Sequence, residues 1–140
     1  MEKYINRLVK EWKQHGKIII AVDFDSTISY WPTIDNQEDI DRTIATLQVA
    51  HATGAYIVVN TACKEDRFED IQKHCENIKL PIDSINAPPI ETVYGNPNKL
   101  YANVFLDDRA GLNEALAILT KAMYVVRGEN SKNLTLGESI

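Results

Sequence analysis

No run of apolar residues in this chain approaches the roughly 20 needed to cross a bilayer, so no membrane-spanning role is expected. The charged start MEKYINRLVKEWK lacks the layout of a secretory signal, which predicts a cytoplasmic protein. Cysteine is scarce. Cys63 and Cys75 stand apart, form no CxxC and have no histidine at ligand spacing, which argues against a zinc site and fits a reducing compartment. There is no basic excess either: the net charge is -5, which gives no stripe for tracking a nucleic-acid backbone and reads as simple solubility. Repeats, low-complexity segments and linkers are absent. With 25% charged and 44% hydrophobic residues the composition is that of a globular protein rather than a disordered one, and 140 residues predict a single domain over 1–140.

What is present centres on Lys17 to Ile28, KIIIAVDFDSTI. An apolar run bounded by polar residues reads as a strand buried on both faces, the habit of a central strand in a parallel sheet. Asp23 and Asp25 then lie at its carboxyl end, where open parallel α/β sheets bind their ligands.

Ahead of it, Tyr4, Ile5, Leu8, Val9 and Trp12 recur at helical spacing and predict an amphipathic helix over 2–15, closed by Gly16. Pro32 keeps SYWPTI a loop. A helix is expected from Asp35, paired with Glu38 as a capping box, to Ala52 with Gly54 as its stop. AYIVVN (55–60) predicts a second buried strand delivering Thr61. Residues 64–79 predict a helix on Phe68, Ile71 and Cys75, Ile82 to Asn86 a weaker strand, and APPIETVYGNPNK a long loop of the functional kind. Tyr101 to Leu106 reads as a strand ending in Asp107 and Asp108, Gly111 to Lys121 as a helix, Met123 to Val126 as a loosely defined edge strand, and the rest as a polar tail, mobile or packed on a neighbour. Alternating strands and helices predict a three-layer α/β sandwich with a mostly parallel, Rossmann-like sheet.

Polar clusters thus fall at the carboxyl ends of successive strands: Asp23 with Asp25, Thr61, and Asp107 with Asp108, Lys99 leading into the last. Singly, each is an ordinary turn former or cap. Together they crowd carboxylates on one rim, which a hard divalent cation would offset, and oxygen ligands with room for substrate oxygens suit Mg²⁺.

The order of these residues resembles the haloacid dehalogenase-like (HAD) hydrolases. AVDFDSTIS looks like their DxDxT signature, Thr61 and Lys99 stand in the order of the second and third motifs, and FLDD looks like the acidic fourth; the resemblance spans Ile18 to Leu112. VDFDSTI, INAPP and KLYANVFLDDRA are similar to small capless members from bacteria and phages. The resemblance implies a Mg²⁺-dependent phosphatase. Asp23 would be the nucleophile and Asp25 the general acid and base, its pKa raised by crowding. Asp23, the backbone carbonyl of Asp25 and Asp107 would hold the metal, with Asp108 a further or water-mediated ligand. Thr61 and Lys99 would bind the phosphoryl group, and the amides of Phe24 and Ala62 would donate to it. The chain departs from these relatives at Cys63, where an arginine is usual; Lys64 and Arg67 follow. Cys63 reads as a buried structural thiol or a reactive one near the site. Trp31 and Tyr30 read either as a flap over a substrate ring or, for Trp31, as cover for the core. His15, His51 and His74 fall on three predicted helices and read as surface or packing residues. With short connections after the first motif and between Thr61 and Lys99, no cap domain is expected. An open site admits large or polymer-borne phosphates or is closed by another subunit of a homo-oligomer. Nucleotide, sugar phosphate, phosphoprotein and polynucleotide end all remain as substrates, a small phosphorylated molecule leading. Two other classes compete. A receiver domain uses similar residues, but carries its acidic pair on the first strand and lacks an equivalent of Asp25. A catalytically silent binding or assembly protein would keep the fold alone.

Overall fold

The computed structural model describes residues 1–87 and 101–138, the stretch 129–138 as backbone only. Its elements follow the chain as α1 (Glu2–His15), β1 (Ile19–Asp23), α2 (Gln37–Ala52), β2 (Tyr56–Asn60), a 3₁₀ turn (Glu65–Arg67), α3 (Phe68–Asn77), β3 (Ser84–Ile85), β4 (Val104–Leu106) and α4 (Leu112–Glu138). The four strands form one sheet in the order β3-β2-β1-β4, and every pairing is parallel. The expected α/β class and parallel sheet are observed, in an arrangement compatible with a Rossmann-like sandwich.

The apolar runs explain the centre of the sheet. In β1, Ile20 and Val22 point to one face and Ala21 to the other; in β2, Ile57 and Val59 oppose Val58; all six are at most 2% exposed. Helix α1 packs along α4, α4 against β4 and α2 against β2. Trp12, 1% exposed, anchors α1 and donates its indole N–H to Thr53 O at 3.2 Å. Gly16 closes α1 at φ 71. Gly54, at φ +103, lets the chain pass so close that a Cβ there would sit 2.8 Å from Gly16 O. Among the described residues no helix is long and apolar enough to cross a membrane.

The edge strands are shorter than their apolar runs suggest, because side chains do part of the pairing. Asn103 N–H donates to Ile19 O at 2.8 Å while Asn103 Oδ1 accepts Ile19 N–H at 2.7 Å. Asp83 does the same to Ile57, donating through its N–H to Ile57 O at 2.8 Å and accepting Ile57 N–H on Oδ2 at 2.7 Å. Both polar groups of a strand residue are therefore satisfied by one neighbour, and the ladder need not extend further.

Two expectations are corrected. The N-cap of α2 is Asn36, whose side chain accepts from Glu38 N at 2.8 Å, because Asp35 is occupied one residue earlier in accepting Trp31 N–H at 2.7 Å. Met123 to Val126 is not an edge strand but part of α4. Leu119, Ala122, Met123 and Val126 are all buried, at offsets that put them on one face of a helix, and no turn residue intervenes. Helix α4 runs on to Glu138, so the backbone of the polar tail from Gly128 continues the helix.

Replacing Asn103 with leucine strands the Ile19 N–H, and the expected cost is about 1–3 kcal/mol of unfolding free energy in urea. A loss under about 0.5 kcal/mol, the level of an ordinary surface change, would mean that Asn103 does not hold β1.

Candidate active site

Strand order decides where the site lies. From β1 the chain steps to β2 and β3 on one side, then returns to β4 on the other, so the crevice between β1 and β4 is the switch point of the sheet. Register brings the carboxylates to it: Val22 pairs with Leu106, so Asp23 and Asp107 are the next residues on adjacent strands. On the other side Asp23 pairs with Asn60, which puts Thr61 at the same rim.

Beyond Asp23 the chain folds into a compact turn. Ile28 N–H and Ser29 N–H both donate to Phe24 O, at 3.1 and 3.0 Å, and Ser26, with φ 61, donates to Ser29 O at 3.0 Å. Asp25 bridges Ser29 and its side chain is exposed. Phe24 is buried, and its N–H donates to the Asp23 carboxylate. The other wall is set at the head of α4. Asp107 Oδ1 accepts Arg109 N–H at 2.9 Å and Asp107 O accepts Ala110 N–H at 3.0 Å, a local turn that fixes the carboxylate.

Thr27 links the two walls. Completely buried, it accepts Asp108 N–H on its hydroxyl oxygen at 3.3 Å and donates to Asp108 Oδ1 at 3.5 Å. Sequence reasoning gave Thr27 no role, and its signal was its place two residues beyond Asp25.

One carboxylate oxygen from each of Asp23, Asp107 and Asp108 lies within 4.8 Å of the others. Asp23 and Asp107 are half-buried and Asp108 is exposed. The Asp25 carboxylate is outside this trio. The crowding assigned to Asp25 from sequence falls instead on Asp23, whose carboxyl is pushed up from 3.8 to about 6 by burial first, then by a hydrogen bond with Asp108 and the charges of Asp107 and Asp108, against the pull of the Phe24 N–H. The reason is direction: Asp23 ends the strand between its neighbours, whereas Asp25 rides the turn into solvent.

Thr61 is held by a third side-chain staple. Asn86 Oδ1 accepts Thr61 N–H at 2.8 Å and Asn86 Nδ2 donates to Thr61 O at 2.7 Å. Asn86 takes φ 54 to do so, a conformation that asparagine tolerates better than most residues. Among the described residues no hydrogen bond joins Thr61 to the trio. Its hydroxyl accepts Cys63 N–H at 3.1 Å, and Ala62 between them is exposed. Lys99 lies outside the described residues. Cys63 is half-buried and packs against the core, so of its two readings the structural one fits. Trp31 is 55% exposed and does not cover the core. Of the histidines, His74 Nε2 bonds Ile28 O at 3.3 Å and His51 lies 3.5 Å from Asp83.

Three carboxylate oxygens at this spacing form a hard donor set. A cation with bonds of about 2.1 Å keeps its ligands no more than about 4.2 Å apart, a span comparable to the 4.8 Å within which the three oxygens lie. The trio is a donor set that could hold a hard cation. No family model, no curated protein and no solved structure matches the chain.

The electrostatics carry a sign. Because folded Asp23 holds its proton to about pH 6, against 3.8 for the ordinary group, the folded state loses stability relative to the unfolded chain as pH rises through this interval, and does not regain it above. The side chain is half-exposed and screened, so the penalty is about 1 kcal/mol rather than the full shift. In chelator, Asp23→Asn is expected to gain about that much over the native chain at pH 8 and nothing at pH 4, read from urea midpoints. Equal gain or loss at both pH values would show that Asp23 is not electrostatically crowded.

Proposed function

We propose that the protein is a Mg²⁺-dependent phosphomonoester hydrolase of the haloacid dehalogenase-like type, without a cap domain, working through an aspartyl phosphate on Asp23. The observation that carries this reading is the meeting of Asp23, Asp107 and Asp108 at the switch point of a parallel sheet, with Asp25 exposed two residues past Asp23. Geometry supports a division of labour between the first two aspartates. Asp23 is directed into the carboxylate cluster, where a nucleophile would face a metal-held phosphate. Asp25, on a turn fixed by Phe24 O and Ser29 O, stands clear of the cluster, where a leaving group and then water would pass.

In the first step an Asp23 oxygen bonds to phosphorus, the ester P–O bond breaks, and Asp25 gives its proton to the departing oxygen. In the second, Asp25 takes a proton from water as that water bonds to phosphorus. The bond from phosphorus to Asp23 breaks, and phosphate leaves with Asp23 and protonated Asp25 restored. Mg²⁺, held by Asp23, Asp107 and Asp108 with the Asp25 backbone carbonyl, would neutralise charge on the phosphoryl oxygens. Thr61 and the amides of Phe24 and Ala62 would donate to the same group, and Lys99 would offset the charge of the nucleophile. Thr27 would position Asp108 rather than touch substrate. At neutral pH an ionised, half-buried Asp23 stands against the charges of Asp107 and Asp108, and a cation bound among them would relieve that repulsion, which makes metal dependence part of the reading. The chain from Phe24 to Asp35 is spent on two short turns, which supports the absence of a cap at that position.

The test is hydrolysis of a panel of nucleotides, sugar phosphates and simple aryl phosphates, with Mg²⁺ and with chelator. Turnover should need metal and vanish in Asp23→Asn, while Asp25→Asn should slow it by about 10²–10⁴-fold. If nothing is turned over yet beryllofluoride still binds with Mg²⁺, a phosphorylation switch or silent binding protein replaces the hydrolase; if beryllofluoride does not bind either, the assignment of the site fails.

A further inference from the structure

A second concavity of about 440 Å³ lies between α2 and α3, lined by none of Asp23, Asp107 and Asp108. Its size is within the range of about 300–1,000 Å³ found for small-molecule sites. Ile40, Ile44 and Ile78 supply apolar wall, and Tyr30 stands at one end, next to the turn that carries Asp25.

The four polar residues of the lining other than Tyr30 have their hydrogen bonds arranged in one sense. Gln37 Nε2 donates to Asp41 Oδ1 at 2.8 Å. A carboxylate only accepts, so the amide orientation is fixed and Gln37 Oε1 and Asp41 Oδ2 are left as acceptors. Gln48 Nε2 donates to Lys79 O at 3.0 Å and Ile78 O at 3.5 Å; both partners are carbonyls, and Gln48 Oε1 is left. His74 Nε2 faces Ile28 O at 3.3 Å, and because a carbonyl only accepts, that ring nitrogen is spent as the donor there. Against these three acceptors, one of them a carboxylate oxygen, stand one Gln37 N–H and the Tyr30 hydroxyl as donors. No lysine or arginine among the described residues lines the concavity.

We propose that this groove binds a small organic cation, a primary ammonium on an apolar body, with Asp41 as counter-ion and the isoleucine walls taking the body. An anionic or acceptor-rich ligand would meet lone pairs on most of these polar contacts, and a purely apolar one would strip water from three acceptors without replacing their bonds. An ammonium group has three donors and matches the surplus. The inference does not depend on the hydrolase reading, because neither Asp41 nor the α2–α3 walls belong to the carboxylate trio.

The experiment is a titration of the full chain with 2-phenylethylamine, and separately with 2-phenylethanol and phenylacetate, followed by backbone amide shifts in NMR. The amine should give saturable shifts confined to residues 37–48 and 74–78, phenylacetate none, and the alcohol weaker ones. Asp41→Asn, an exposed change that keeps an oxygen for Gln37, should weaken the amine about tenfold. Overturning results are the lack of any saturable shift at millimolar amine, equal binding of amine and carboxylate, an unchanged dissociation constant in Asp41→Asn, or shifts centred on Asp23 and Asp107, which would mark attraction of a cation to the acidic trio.

Discussion

The pairing of Val22 with Val59 on one side and Leu106 on the other is the constraint on which the rest of the structure depends. Three parallel strands in that register finish at one level, and whatever follows each of them must share a rim. Asp23, Thr61 and Asp107 follow. A slip of one residue in β4 would turn its buried positions, Val104 and Leu106, outward in exchange for the half-exposed Phe105, so burial of the strand and delivery of Asp107 are settled by the same choice. The site is in this sense a by-product of core packing.

What the core does not supply is length at the edges. Two and three residues of strand make a poor boundary for a sheet whose centre is fully buried, and the chain compensates with carboxamides and a carboxylate that imitate a neighbouring backbone. Asn103 grips both polar groups of Ile19, Asp83 those of Ile57 and Asn86 those of Thr61. The first two act at the amino end of the sheet and secure the fold. The third acts at the carboxyl end and fixes the backbone of a residue proposed to bind phosphate, so one device serves stability at one rim and positioning at the other.

The centre of this arrangement was legible in the sequence and its edges were not. IIIAVD and AYIVVN are apolar over their whole length, and such runs leave little choice of element. The acidic pair after VFL announces a rim for the same reason. Asn103, Asp83 and Asn86 carry no local signal, because each acts on a residue at least 25 positions away. Cap choice at α2 failed on a similar point: Asp35 has the chemistry of an N-cap, but the loop that displays Trp31 claims its carboxylate first. At Met123 to Val126 a β-branched pair beside a tyrosine outweighed the helical spacing of Leu119, Ala122, Met123 and Val126, although packing on α1 and β4 obeys the spacing. Which aspartate is crowded depends on where a turn points after the strand ends, and the spacing of Asp23 and Asp25 is silent on that.

Crowded carboxylates usually relieve their repulsion by moving apart, and here each route is obstructed. Asp23 closes a buried strand and takes the Phe24 N–H. Asp107 is tied into its own turn by the amide of Arg109, and Asp108 is bound through backbone and side chain to a threonine with no exposure at all. The turn that carries Phe24 is itself braced from α3, where His74 bonds Ile28 O and sets its ring edge-on to Phe24 at 5.3 Å. With displacement costly, two ways remain to lower the electrostatic energy: a proton, which suffices below about pH 6, or a cation above it. A scaffold that spends backbone amides and a buried hydroxyl on holding repelling charges together suits the cation proposed for it, because the energy stored in their repulsion would be recovered when that charge binds.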